Sequence, residues 1–446
     1  MKQVLCHLIK SQSWQPRLAA LAIGAPASAP LSITLALDGA HTDWLEMLPK
    51  GQPFWYRAKP SLNEFRLGIG HALHLATAGN NRFAALDNAY QGLCRDWRHE
   101  GVARAFAGFA FDHASHSSLP NALLAIPAIL LECSAGKCNA TLTIPATRRD
   151  QASTEWLALL KEQLSSGTIQ RVALHPDDLA KQAWMARVRA ALRAIEQGKY
   201  EKLVLSRSFK IESRTPLPIS RILGNLIDHR PDSLIYAHGD GEHTFLGASP
   251  ERLLKFEDGK VYADALAGTA WAGSPSLGDR KNRHEQSLVV GAIIEALAPF
   301  CTSRPHAEPP AEHPAGHLRH LLSRISGNTQ PETSLFDLVN ALHPTPAVGG
   351  FPREAAEDWL RQHGEKRSGW YSGALGLLDH QGNGEFSVAL RSALISGCSA
   401  ELQAGAGIVA GSEAHQELAE TEAKLQTLLA ALETPTGDQR TGTLHN

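Results

Sequence analysis

Apolar and polar positions alternate with a period of two over many short stretches of this chain. Residues 31–37 (LSITLAL) and 104–112 (RAFAGFAFD) show it, the second with Gly108 at a close contact, and 122–133 and 140–145 read as further strands. Later strands are predicted at 202–211, 234–239, 243–248, 253–257 and 260–264, with Asp258-Gly259 as a hairpin turn. Residues 318–325, 370–377, 385–395 and 401–410 complete the set. Helical spacing occurs at 153–165 and at 176–198, where Trp184, Val188, Ala191, Leu192 and Ile195 share a face before Gly198. Two more helices are predicted at 279–298 and 412–432. Hairpin-like strands with helices interspersed argue for an α+β fold rather than a βαβ repeat.

The pattern divides the chain into a first part, 1–175, a second part, 176–433, that carries the candidate chemistry, and a polar tail, 434–446. Residues 18–29 (LAALAIGAPASA) resemble a signal-peptide core, but the run is short and broken by Pro26, so it reads as a strand or loop. Residues 305–316, rich in Pro, His and Glu, read as a surface loop, and the histidines in and after it (His306, His313, His317, His320) as solvated.

Composition narrows the function classes. With 43% apolar and 20% charged residues and a net charge of -2, the chain lacks the basic footprint of a nucleic-acid binder. No segment has the apolar length of a membrane span. The six cysteines are too dispersed for a disulfide framework, and Cys133 and Cys138 read as reduced thiols of a cytoplasmic protein rather than a metal clip.

Charged residues inside apolar runs mark the candidate chemistry. Lys202 opens the strand KLVLS, where it is either a strand-edge lysine or a base whose proton affinity is lowered by burial. Glu251 follows Ser249-Pro250 at a strand start, as a positioned acid or a surface carboxylate. Arg391 lies in FSVALRSALI, where alternation puts it with Ala389, opposite Val388 and Leu390. Gly405 and Gly407 (AGAG) would let backbone amides approach an anion. Glu417, Glu420 and Lys424 share one face of the last helix, which by itself is most often a solvated face. Glu285 points to the apolar side of its helix and needs a partner, a salt bridge or a metal shared with Glu420.

In order, KLVLSR, FLGASPERL, ALAGT, RHE, HPTPAVGG, GWYSG, VALRSAL, AGAGIV and ELAETEAKL resemble the chorismate-utilising enzymes over roughly 200–432. The resemblance implies one large α+β domain, two β-rich halves forming a sandwich of antiparallel sheets with helices outside. It implies that Lys202 activates water to attack C2 of chorismate and that Glu251 protonates the departing C4 hydroxyl. Glu285 and Glu420, with Glu417 direct or through water, would ligate Mg2+. Tyr371, Arg391, Lys424 and the Gly405 and Gly407 amides would hold the substrate carboxylates, with Thr269 and His343 lining the pocket.

Ala267 stands where aminodeoxychorismate synthases carry a lysine that attacks the ring, and HPTPAVGG resembles the isochorismate synthases. Water is then the nucleophile, and no glutaminase subunit is expected, in a monomer or weak homodimer serving menaquinone or siderophore synthesis. The alternatives are a salicylate synthase and a non-catalytic chorismate-binding relative. Two positions depart from the family pattern. Asn282 replaces an acidic residue three before Glu285, and Gln286 replaces a histidine.

Overall fold

A computed structural model describes residues 1–446 except 38–43, 115–116, 166, 170–172, 175–177, 272–276, 278–279, 316–317 and 433–446. The expected polar tail and His317 lie outside the described residues. Long antiparallel ladders dominate, and the strand Ala122–Ser134 is their branch point. One arm runs from it through Glu64–Thr77, Phe54–Lys59, Leu234–Gly239, His243–Ser249, Ser392–Ser396 and Ser399–Val409 to Lys202–Glu212. The other runs through Arg104–Phe109, Ala374–Asp379, Gly384–Val388, Arg252–Glu257 and Lys260–Trp271 to Leu318–Asn328. The Pro30–Ala36 strand adds a parallel pairing with Arg98–Glu100.

The two arms face each other across an aromatic core, which makes the α+β sandwich. Trp55 of the first arm stacks on Phe106 of the second with ring centroids 5.4 Å apart, and on Trp370 at 5.5 Å. Tyr236 and Phe245 from one arm and Leu375 and Leu377 from the other complete this cluster. Gly108 makes the approach possible, because a Cβ there would overlap the Trp370 ring. Burying such rings is the main stabilising term of the layer.

Helices cover the outside. Arg280–Leu297 packs Val289, Ile293 and Leu297 inward against the Lys260–Trp271 strand. Ala414–Leu432 lies on the Ser399–Val409 strand and is fixed to the Ile219–His229 helix by an Asn225 Nδ2–H donating to Ala431 O at 2.9 Å. Among the described residues no helix is long and apolar enough to cross a membrane.

Several local expectations are corrected. Residues 18–29 do not form a strand; the helix Gln15–Ala22 takes the first five of them, with Leu18 buried, and the remainder is loop as far as the strand at Pro30. The segment around 305–316 is not a free loop, since His306–Ala307 and Ala311–Ala315 both pair with Leu318–Asn328. Proline-rich sequence is tolerated there because these are short edge strands. Cys133 and Cys138 are not free thiols: the hairpin register sets them directly opposite, and they are joined as a disulfide.

Two glycine substitutions should move stability in opposite directions. Gly108→Ala overpacks the core against Trp370 and should lower the urea midpoint by the equivalent of about 1–3 kcal/mol. Gly92→Ala, in the Arg82–Asp96 helix with space for a methyl group, should raise it by up to about 1 kcal/mol.

Candidate active site

The far ends of the two arms meet around one cavity. Lys202 and Val204 come from one end strand, and Gln403, Gly405 and Gly407 from its neighbour. Leu266 to Thr269 and His320 come from the end of the other arm. The covering helices add Glu285, Glu420 and Lys424, and Glu251, Tyr371, Ser372 and Arg391 close the wall. Ten of the twelve residues singled out from sequence therefore line one space. Chain order scatters them from 202 to 424, and the closure of the two arms brings them together.

Lys202 is sealed from solvent, with Nζ 2.8 Å from Glu285 Oε1. Gly407 is small for their sake: a Cβ there would stand 2.7 Å from Glu285 Oε1 and 2.8 Å from Lys202 Cε. A Cβ on Gly405 would approach the Leu205 carbonyl at 2.8 Å and the Tyr371 hydroxyl at 3.0 Å. The AGAG glycines thus make room for the protein's own functional side chains. Lys424 Nζ donates to Gly405 O at 2.8 Å and to Glu420 Oε1 at 2.6 Å, tying the last helix to the same strand.

Arg391 reaches the cavity by a route that alternation does not describe. The expected strand 385–395 is broken into Gly384–Val388 and Ser392–Ser396, and Arg391 has φ 50°. A left-handed arginine is uncommon and persists only where its surroundings hold it. Here Ala248 N–H donates to Arg391 O at 3.2 Å, and Gly247 leaves room for that carbonyl. Desolvation by burial lowers the proton affinity of Arg391, opposed by Tyr371, Glu251 and Glu420.

His320 is a cavity residue that the sequence reading placed among solvated histidines. It is buried on the Leu318–Asn328 strand, with Nδ1 3.0 Å from Gly268 O and 3.2 Å from Thr269 Oγ1. Burial, with Arg391 and Lys424 nearby, pushes its pKa down to about 3, so the ring is neutral. Donation from Nδ1–H to the Gly268 carbonyl leaves Nε2 as an acceptor, 3.4 Å from Arg391 Nη2. The signal was present in LRHLLS, where the strand period carries through His320.

Two expected site residues stand elsewhere. His343 does not line the cavity. It is buried among Phe83, Phe109 and Phe111, with Nε2 3.0 Å from Phe111 O, and burial holds its pKa well below the ordinary value. The loop that follows it supplies Ala347 and Val348 to the wall instead. Glu417 lies behind Glu420, buried, with Lys281 Nζ 2.8 Å from its Oε1.

The two departures from the family pattern also have places. Asn282 Oδ1 accepts the Thr269 N–H at 3.0 Å and so holds the bulge at Gly268, whose φ is 65°. Gln286 faces away from the cavity, its Nε2 donating to Ala265 O at 3.0 Å and Ser323 Oγ at 3.2 Å.

Glu251 is electrostatically unlike the other carboxylates. Burial pushes its pKa up to about 8, against the pull of Arg391 and Lys202. Burial also opposes ionisation of Glu420, but Lys424 overcomes it and holds that carboxyl below the ordinary value. The cavity thus contains a protonated acid, a buried lysine and cationic donors for anions. Glu285, Glu420 and Glu417 offer oxygen donors of the kind a hard divalent cation takes together with water and substrate oxygens. Among the described residues no three acidic, His or Cys side chains already form a metal cage, and each of these carboxylates is bonded to a lysine.

The family model described as chorismate binding enzyme matches residues 25–433. The chain is 33% identical over 421 residues to the salicylate biosynthesis isochorismate synthase of Pseudomonas aeruginosa, covering 85% of each protein. It is 37% identical over 273 residues to isochorismate synthase MenF of Bacillus subtilis, an alignment covering 59% of this chain and 58% of that protein. The solved structure of MenF, the menaquinone-specific isochorismate synthase from Escherichia coli, superposes with a TM-score of 0.78 at 25% identity, over 95% of this chain and 100% of that one. The chain belongs to the chorismate-binding enzyme family.

The Glu251 environment can be tested by stability alone. The folded state binds this proton more tightly than the unfolded chain, so wild-type stability is lost as pH rises from about 4.5 through about 8. Glu251→Gln carries no such penalty. It should therefore be more stable than wild type at pH 9, by on the order of 2 kcal/mol, with the difference vanishing near pH 4. Denaturation curves across that range check it; a constant difference would show that Glu251 is not held protonated by the fold.

Proposed function

We propose that this protein is an isochorismate synthase, converting chorismate to isochorismate by water attack at C2 and loss of the C4 hydroxyl. The observation that carries the reading is the enclosure of Lys202 and Glu251 in one cavity whose wall at the ALAGT position is Ala267. A base and an acid are present, and the position for a protein amine nucleophile is filled by a methyl group. Water is the nucleophile of this reading, with ammonia as its competitor.

In this scheme Lys202 acts as the neutral amine, having first given up the proton that pairs it with Glu285, and takes a proton from the attacking water as the new C2–O bond forms. The ring double bonds shift, and the C4–O bond breaks. Glu251 gives its proton to the departing hydroxyl, which leaves as water. One water enters and one leaves, so product and substrate are isomers. The raised pKa of Glu251 keeps it loaded at neutral pH, as a general acid requires.

Arg391, Tyr371 and Lys424 orient the two substrate carboxylates, with His320 aligning the Arg391 guanidinium. Glu285 and Glu420 would hold Mg2+, with Glu417 contributing directly or through water. The metal would supply positive charge that fixes a substrate carboxylate and offsets the charge of the site.

Purified protein given chorismate and Mg2+ without ammonia should yield isochorismate as the sole chromatographic product. Salicylate with pyruvate would replace this reading with a salicylate synthase, and turnover only with added ammonia would exclude both. Lys202→Ala and Glu251→Gln should each lower kcat by at least about 10²-fold with the fold intact. Wild-type kcat/KM should fall as pH rises through about 8, the pKa of the Glu251 acid. A profile flat from pH 7 to pH 10 would remove Glu251 from the acid role.

A further inference from the structure

Three lysines stand against the three candidate metal-binding glutamates, and they are not equivalent. Lys202 with Glu285 and Lys424 with Glu420 lie in the cavity wall, with lysine side chains 2% and 13% exposed. Lys281 with Glu417 lies outside the lining, and its side chain is 33% exposed, although Glu417 is 2% exposed. Lys281 thus has its ammonium on a buried carboxylate while a third of its side chain is open to solvent.

The position follows from the two helices. Lys281 and Glu285 are four residues apart in Arg280–Leu297, and Glu417 and Glu420 three apart in Ala414–Leu432, so each pair shares a helix face. The Lys281 ammonium bridges the two faces. Glu417 is its strongest attraction, and Glu285 and Glu420 add to it. One monovalent cation therefore acts on all three carboxylates that the proposed metal would use.

Two buried carboxylates a helical turn apart repel. Some cation must offset that repulsion, and in this structure Lys281 and Lys424 do so. A divalent ion arriving at the carboxylates would compete with these ammonium groups. Lys202 and Lys424 are the more enclosed, whereas Lys281 is the most solvent-exposed of the three and is the one that can return its ammonium to water at the smallest cost.

We propose that Lys281 is a displaceable internal counter-ion: it occupies Glu417 in the metal-free protein, yields it when Mg2+ binds, and so weakens metal affinity. The inference rests on the metal reading given above and adds a residue outside the cavity that tunes it. The cost of breaking the Lys281–Glu417 pair is charged to metal binding, and the same pair stabilises the metal-free fold.

The test is Mn2+ binding by calorimetry at pH 8, without substrate, on wild type, Lys281→Met and Lys281→Arg. Lys281→Met keeps the stem and removes the charge. It should bind Mn2+ about tenfold or more tightly, the loss of one competing ion pair, while Lys281→Arg stays near wild type. Thermal melts give a second readout. Metal-free Lys281→Met should melt below wild type, and saturating Mn2+ should raise its Tm by more than it raises that of wild type. Equal or weaker Mn2+ binding by Lys281→Met would overturn the proposal and leave the metal site standing. Absence of Mn2+ binding in all three proteins would overturn both.

Discussion

Burying an ammonium and a carboxylate together is expensive, and the cavity is organised around the Lys202–Glu285 pair. Lys202 is among the largest fully buried side chains of the protein, and Glu285 at 2.8 Å supplies its ion-pair partner. A pair of this kind is tolerated only when its geometry is held, because either charge left alone would cost several kcal/mol. Glu285 is held by a helix whose Val289, Ile293 and Leu297 are locked into the core. Lys202 is held by a strand paired from Ser399–Val409 along its length. Gly407 then leaves the space in which the pair meets.

The rest of the site shows the same economy of space and charge. Arg391 is delivered by a left-handed residue between two strands rather than by the alternation of one. Thr269 is delivered by a bulge that Asn282 clasps. These irregularities lie where a regular pleat would aim side chains into the sheets instead of the cavity. The aromatic layer between the arms supplies the rigidity against which such local strain is sustained.

Much of this was legible in the sequence, for definable reasons. Strands with clear alternation, such as Leu234–Gly239 and Lys202–Glu212, fall within a residue or two of expectation. So do the helices bearing Glu285 and Glu420. The helix Arg82–Asp96 and the long strand Glu64–Thr77 were not foreseen, because their packing is set by distant partners such as Phe336 and Ala122–Ser134. The motif residues survived as a set because they share one space. His343 and His320 were effectively exchanged. A histidine in a striking motif turned out to be core, and one beside a polar segment turned out to line the cavity. Spacing cannot separate these outcomes, since both depend on how the second arm closes.

Glu251 and Glu420 are driven in opposite directions within this cavity, Glu251 toward its protonated form by burial and Glu420 toward its ionised form by Lys424, and that divergence separates their chemistry. Glu285, Glu417 and Glu420 each have a lysine nitrogen at 2.6–2.8 Å. Glu251 has no such lysine contact among the described residues; Arg391 and Lys202 act on it only through space, and burial prevails. A carboxyl that keeps its proton can serve as an acid, whereas one stabilised by a cation can exchange that cation for a metal. Had Lys424 stood beside Glu251 instead of Glu420, the same side chains in the same volume would lack a proton donor. The division of labour therefore lies in which carboxylate each lysine reaches, and the meeting of the two arms fixes that choice.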